Sequence, residues 1–334
     1  MQTAVSVRPY SNADFDAFLA LLDATSAPEG ATTRSGLAWF LATPGFDPAR
    51  DLFVMPGPDG EGFLGARDVR FTARGDEEVL ILESWGAIHP EAESATVAGD
   101  LLRRALARAQ SLLAEHGRTR GILQARCGKG DTGARDAFAA AGLAYARDLV
   151  TMLRPSLADI AAPNFPDGIV VRGYRAGDEG AWVNAFNAAF AGHWGGFMGM
   201  SAARWAHERA ETAFDPAISL VAWDGDQLAG FCHCRIDHEL NALRGRQVGM
   251  IRYVGVVPQW RRQGLGAALT LAGLRTLRDA GMASVVLGVD AENVTGARRL
   301  YERFGFEVVE TQMMYRVPVV AAADPDRSGA PSSA

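Results

Sequence analysis

The chain has 334 residues, 48% of them apolar and 22% charged, and a formal net charge of −6. That length exceeds what one hydrophobic core usually serves and predicts two domains of roughly 150 residues each, with a composition ordinary for a globular protein. Met1 to Arg8 carries no basic stretch followed by an apolar run, no segment nears the roughly 18 apolar residues of a membrane span, and no basic cluster suits a phosphate backbone. The expectation is a cytoplasmic protein with neither a membrane nor a nucleic-acid partner.

In chain order, the first pattern is Val7-Arg8-Pro9-Tyr10 followed by Asp14, answered 164 residues later by Val171-Arg172-Gly173-Tyr174 followed by Asp178. Asp59-Gly60 with Gly65 is answered 165 residues on by Asp224-Gly225 with Gly230. Thr132-Gly133-Ala134-Arg135 with Gly142 is answered by Thr295-Gly296-Ala297-Arg298 with Gly305, and Pro155 by Pro318, both at a spacing of 163. Matches in one order at nearly one spacing predict a tandem duplication. Residues 1–155 form the first copy on this reading, 156–168 a linker bounded by Pro155 and interrupted by Pro163 and Pro166, 169–318 the second copy, and 319–334 a disordered tail. Three cysteines, Cys127, Cys232 and Cys234, are too few for a disulfide framework or a metal site and read as buried thiols, with Cys232 and Cys234 on one face of a strand.

The second copy reads as a strand over Ile169–Tyr174 and a helix over Asp178–Ala191, with Asp178 placed to cap it. Strands over Ile218–Trp223 and Gln227–Ile236 are joined at Asp224-Gly225, a hairpin signal. A strand over Gln247–Val257 then leads to a helix opened by Gly264, whose Leu265, Ala268, Leu269, Ala272 and Leu277 share a face and which Gly281 ends. Ser284–Asp290 is a strand, Thr295–Phe304 a helix and Phe306–Val317 a closing strand. The order is α/β, with a strand–helix–strand crossover at its centre.

The crossover carries the chemistry. In Val254-Gly255-Val256-Val257-Pro258-Gln259-Trp260-Arg261-Arg262-Gln263-Gly264-Leu265-Gly266-Ala267 a strand ends and two glycines open a helix whose first amides have no intrahelical acceptor. Such amides and the helix dipole attract an anion, glycines admit it closely, and Arg261 and Arg262 add charge. The spacing matches neither a nucleotide-triphosphate loop nor a dinucleotide fingerprint.

Arg261-x-x-Gly264-x-Gly266 after Val254-Gly255-Val256-x-Pro258, then Val289-Asp290-x-Glu292-Asn293, then Leu300-Tyr301-x-x-x-Gly305-Phe306, resembles the GNAT superfamily of N-acetyltransferases. The motifs cover residues 250–306, and the tandem arrangement, with Ala189-Phe190-Ala191-Gly192-His193 and Phe214-Asp215-Pro216, is similar to mycothiol-synthase-like proteins. The resemblance implies two GNAT-like domains, each a mixed, mostly antiparallel sheet flanked by helices, with acetyl-CoA as co-substrate and no metal. It implies that Val254, Gly255 and Val256 offer backbone groups to the pantetheine arm, and that the amides of Arg261, Arg262, Gln263, Gly264, Leu265, Gly266 and Ala267 hold the pyrophosphate. It assigns Asn293 a cofactor contact and Tyr301 the proton donated to the departing thiolate; the alternative reading of Tyr301 is a core aromatic on an amphipathic helix.

Many members of the family carry a glutamate as general base about 14 residues before the first loop glycine, where this sequence has Met250. Asp290, Glu292, His233, His238 and His193 are the candidate substitutes, acting through water, each with an alternative as an ordinary strand or loop residue. The first copy has Pro90-Glu91-Ala92-Glu93-Ser94-Ala95-Thr96-Val97-Ala98 at the loop, Phe138 for Tyr301 and Gly130 for Asn293, so it predicts a structural or substrate-shaping partner rather than a second catalyst. The expected activity is acyl transfer from acetyl-CoA to an amine of a small molecule, with non-catalytic acyl-CoA sensing and protein N-acetylation as alternatives. His193-Trp194-Gly195-Gly196-Phe197-Met198 is either a wall of the amine pocket or a plain hydrophobic loop.

Overall fold

A computed structural model describes residues 6–25, 32–72, 79–192, 194, 199–292 and 296–322. In chain order the first repeat forms β1 (Arg8–Pro9), α1 (Phe15–Thr25), α2 (Arg34–Leu41), α3 (Pro48–Asp51), β2 (Leu52–Pro56), β3 (Phe63–Asp68), β4 (Arg70–Thr72), β5 (Leu80–Ser84) and β6 (Gly86–Ile88). It continues with α4 (Ser94–Glu115), β7 (Arg120–Gly128), α5 (Thr132–Ala140) and β8 (Ala144–Arg154). The second repeat forms β9 (Ile169–Gly173), α6 (Glu179–Phe190), α7 (Ala202–Arg209), β10 (Leu220–Asp224), β11 (Gln227–Arg235), α8 (His238–Arg244) and β12 (Val248–Val256). After a short 3-10 turn at Pro258–Trp260 come α9 (Leu265–Asp279), β13 (Ser284–Asp290), α10 (Ala297–Arg303) and β14 (Glu307–Val320).

The chain folds into two compact units that do not follow the two repeats. Residues 1–25, 45–146 and 313–334 make the first, and residues 26–44 and 147–312 make the second, so the division falls inside β8 and inside β14. This differs from boundaries at 155 and 169, because the last strand of each repeat serves both units. The segment 156–168 is irregular, but Leu157 and Ile160 are buried in the second unit's core, so it is anchored rather than free. Regular structure continues to Val320, one residue past the buried Val319, which moves the start of the expected tail; residues 323–334 lie outside the described set.

In the second unit the strand order is β8-β13-β12-β11-β10-β9, and β12 and β13 alone are a parallel pair, because α9 carries the chain back between them. One face of this sheet buries Ile251, Val285 and Leu287 against Leu265, Leu269, Leu274 and Leu277 of α9. Cys232 and Cys234 lie on that face as expected, buried, with Sγ atoms 3.7 Å apart. The other face buries Trp182 and Phe186 of α6 with Trp205 of α7 and Phe231 of β11, and the Trp182 and Trp205 rings stack at 3.6 Å. Helix α2 belongs to this unit although its sequence lies in the first repeat: Trp39 Nε1 donates to the His207 carbonyl at 2.9 Å, and the two rings stack at 4.7 Å.

The first unit repeats the pattern: β1, β2, β3 and β6 form an antiparallel sheet, and β5 pairs antiparallel with β4 and parallel with β7. Its core holds Leu102 and Leu113 of α4, Leu123 of β7 and Phe138 of α5. No helix among the described residues is long and apolar enough to cross a membrane.

The opening motif of each repeat has one physical cause. Arg8 donates from both terminal nitrogens to Asp14 at 2.7 and 2.8 Å, and the Ser11 amide donates to the same carboxylate at 2.7 Å. Arg172 and Asp178 repeat this at 2.7 and 2.8 Å, with the Arg175 amide at 2.8 Å. The Asp178 carboxylate therefore makes no bond to the first amides of α6, contrary to the expected cap, because the guanidinium fork and the turn amide occupy it.

Asp178→Ala is expected to lower stability by about 1–2 kcal/mol, since it leaves the half-buried Arg172 unpaired. Hydrogen bonds from Arg8 hold Asp14 below the ordinary carboxylate pKa; burial pushes Asp178 up, but the bonds from Arg172 and Arg175 outweigh it. A depressed folded pKa means the contribution is complete above the unfolded value of about 4 and is lost as pH falls through the folded one. Denaturant melts at pH 7 and pH 3 check this: the gap between wild type and Asp178→Ala should close at the lower pH, and a constant gap would contradict it.

Candidate functional site

Strands β12 and β13 pair from Val248↔Ser284 to Ile251↔Leu287 and then separate. β13 continues to Asp290 against β8, while β12 continues to Val256 against β11 alone. A bulge at Arg252 marks the parting: Cys234 faces Ile251 and His233 faces Tyr253, so Arg252 is the extra residue. Beyond it, the β12 edge that faced β13 has no neighbouring strand among the described residues, and its outward backbone groups, apart from the Val256 carbonyl that Arg261 engages, can serve an extended ligand. Gly255 is required here because a Cβ would stand 2.3 Å from the Phe231 ring. Because β12 and β13 are parallel, the helices that follow them, α9 and α10, both begin at this open end.

Between β12 and α9 the chain is held by its own side chains. Trp260 Nε1 donates to Asp224 at 2.9 Å, and Arg261 donates from Nε to the Val256 carbonyl at 3.1 Å and from Nη2 to the Ala189 carbonyl at 2.8 Å. Arg261 thus ties the loop to the ends of β12 and α6, a scaffolding role beyond the charge read from sequence. Arg262 adopts φ 61° and Gly264 φ 84°, both in the left-handed region, and residues 261–264 are exposed. The first bond of the helix runs from the Ala268 amide to the Gly264 carbonyl at 3.0 Å. The amides of Leu265, Gly266 and Ala267 precede it and have no intrahelical acceptor. Asn293 lies outside the described residues.

Tyr301 sits on α10 at the margin of the core that contains Cys232, edge-on to Phe306 at 5.8 Å. Burial, then the nearby Cys232 thiol, raise its pKa well above that of a free phenol, so it stays protonated across the physiological range. Tyr301 thus packs on the core and keeps its proton.

The substitute bases separate clearly. Asp290 is buried and ion-paired with Arg147, whose guanidinium lies 3.6 Å over the Trp194 ring. His233 is buried against Trp205, Phe214 and Tyr253 with Nδ1 2.8 Å from Ser219 Oγ, and burial, reinforced by Arg252, lowers its pKa to about 3. A base so weak and enclosed takes no proton from an ammonium. Glu292 and His238 are exposed; His193 is outside the described residues, as is the segment 195–198 of the suspected pocket loop.

Sequence reading missed α7, and with it Glu208. This buried carboxylate accepts from Arg252 Nε at 3.2 Å and Nη2 at 3.4 Å. Burial raises its pKa, but Arg252 and Arg204 outweigh that and keep it ionised. The cap at Ser201, which accepts from the Arg204 amide at 3.1 Å, was the available signal for the helix. Among the described residues no group of His, Cys, Asp and Glu side chains is arranged to hold a metal ion.

At the corresponding place in the first unit the helix start has partners from its own chain. Glu93 caps α4 by accepting from the Thr96 amide at 3.0 Å, and Ser94 Oγ donates to Asp131 at 2.7 Å, joining the starts of α4 and α5. A Cβ on Gly133 would lie 2.7 Å from Ser94, whereas one on its counterpart Gly296 would meet nothing within 4 Å. Phe138, the counterpart of Tyr301, is fully buried.

Residues 181–306 match the Acetyltransferase (GNAT) family. The chain is 34% identical over 319 residues to a protein of Streptomyces scabiei named mycothiol acetyltransferase, covering 93% of this chain and 94% of that one. Among solved structures, a GCN5-related N-acetyltransferase from Sphaerobacter thermophilus is 25% identical with a TM-score of 0.72, over 95% of this chain and 96% of that one. A tandem GNAT protein from the clavulanic acid biosynthesis pathway shares the fold at 15% identity and a TM-score of 0.63, over 96% and 100%. The open parallel pair, the glycine-opened helix and Tyr301 thus coincide with full-length similarity to a named enzyme, and the chain belongs to the GNAT family of acetyltransferases.

Proposed function

We propose that the second unit transfers an acetyl group from acetyl-CoA to the amine of a small molecule, while the first unit binds no cofactor. The observation that carries this reading is the coincidence, at one end of the sheet, of the unpaired β12 edge, the bare amides of α9 and a phenol that keeps its proton. The naming of the Streptomyces scabiei relative for a small-molecule substrate supports the acceptor class.

The residues fit the co-substrate. Val254, Gly255 and Val256 would bond the pantetheine amides in the manner of an added strand, and the amides of Arg262 to Ala267, at the positive end of the α9 dipole, would hold the pyrophosphate beside Arg261. Asn293 completes the proposed set. When bound, acetyl-CoA supplies a thioester whose C–S bond is exchanged for a C–N bond to the amine, with the CoA thiol as product.

Tyr301 gives its phenolic proton towards the departing sulfur; a thiolate with a pKa of about 8.5 leaves more readily against such a donor. Position 250 holds a methionine, so the proton lost by the attacking nitrogen leaves through water, with Glu292 and His238 as exposed acceptors.

Release of free thiol from acetyl-CoA in the presence of an amine panel tests the activity, and silence with every amine would contradict it. Tyr301→Phe should lower kcat by about 10²–10³ with little change in the dissociation constant of acetyl-CoA. Gly264→Ala forces a side chain into φ 84°, a strain of about 1–2 kcal/mol. It should weaken acetyl-CoA binding about tenfold, measured by calorimetry. Calorimetry of the wild type should find a single site per chain; a second site of similar affinity would show that the first unit binds too.

A further inference from the structure

Arg252 is unexplained by cofactor binding. It is the bulged residue at which β12 leaves β13, two positions beyond Met250 and two before Val254, where the strand edge assigned to pantetheine begins, which places it in the chain at the acyl end of the proposed site. Its guanidinium lies 5.3 Å from the Tyr253 ring and 6.0 Å from the ring of Trp39 on α2. Two aromatic neighbours restrict the orientation of the planar group.

Glu208 anchors Arg252 from beneath. The anchor's side chain is 4% exposed, whereas that of Arg252 is 28% exposed. The bonds between them, 3.2 and 3.4 Å, are longer than the roughly 2.7–2.9 Å of a saturated charge-assisted pair. The neighbouring cation Arg235, 5.8 Å from the same Trp39 ring, is only 11% exposed and is ion-paired with the buried Glu211.

Charge at this end of the site is thus inverted relative to a site that carries a carboxylate at position 250. The guanidinium disfavours an incoming ammonium on the side away from Glu208, where position 250 offers no carboxylate. An acceptor that brings its own monoanion removes the repulsion and matches the planar fork. A dianion fits less well, because the neighbouring Arg235 and Arg209 are already paired with Glu211 and Glu179.

We propose that Arg252, framed by Trp39 and Tyr253 and held by Glu208, is the specificity-determining residue that receives a carboxylate on the acceptor, so that the substrate is an amine bearing a carboxylate. This rests on the acetyl-transfer reading above. The α2 helix contributes Trp39 to the same group, which gives the first repeat a part in acceptor selection without a cofactor site of its own.

The test uses the full chain at saturating acetyl-CoA and pairs each of several amino acids with its carboxamide, reading kcat/KM from thiol release. The acids are expected to exceed their amides by about tenfold or more, and Arg252→Gln should bring the ratio to about one. Because that variant leaves Glu208 unpaired and can misfold, the Glu208→Gln/Arg252→Gln double variant provides the same comparison without a buried charge. Amides turned over as well as acids by the wild type, or a ratio unaltered in a folded variant, would overturn the proposal while leaving acetyl transfer intact. Absence of acetyl-CoA binding to the wild type would instead overturn both.

Discussion

Two parallel strands share hydrogen bonds only while they run side by side, and in the second unit β12 and β13 cease to do so after Ile251 and Leu287. Everything proposed for the site depends on that parting. The bulge at Arg252 starts it, and the support of β13 by β8 and of β12 by β11 lets both strands continue apart without either losing its place in the sheet. The result is a row of backbone groups that water or a ligand must satisfy, ending at a helix whose first amides are equally unmet.

The two repeats show which parts of this arrangement are scaffold and which are site. The arginine–aspartate fork at the start, the parallel strand pair and the long helix after it recur in both units. At the helix start they diverge: Glu93 supplies an internal anion to α4, whereas Gly264 leaves the equivalent amides of α9 open. An acidic cap and a bound pyrophosphate are alternative solutions to the same electrostatic demand.

Much of this was legible in the sequence because it depends on local constraints. Ser284–Asp290 is a strand with the bounds read from its apolar run, α9 buries Leu265, Ala268, Leu269 and Leu277 as its spacing predicts, and Gly281 ends it with φ 86°. The hairpin at Asp224-Gly225 closes with Asp224 facing Gln227. What depended on distant packing was not legible. Asp178 looks like a helix cap until the fork of Arg172 is seen to occupy it, and His233 and Asp290 look like available bases until their burial and partners are known. Nothing in the composition of residues 34–41 indicates that this helix packs with the second unit, and the exchange of strand halves at β8 and β14 has no local signature.

Amide hydrogen exchange with and without acetyl-CoA tests the central claim most directly, because it reads the backbone groups in question one segment at a time. The account predicts added protection at Val254–Val256 and at Leu265–Ala267, with none at Ser94–Ala98. Protection at the start of α4, or none along β12 and the start of α9 at saturating acetyl-CoA, would contradict it.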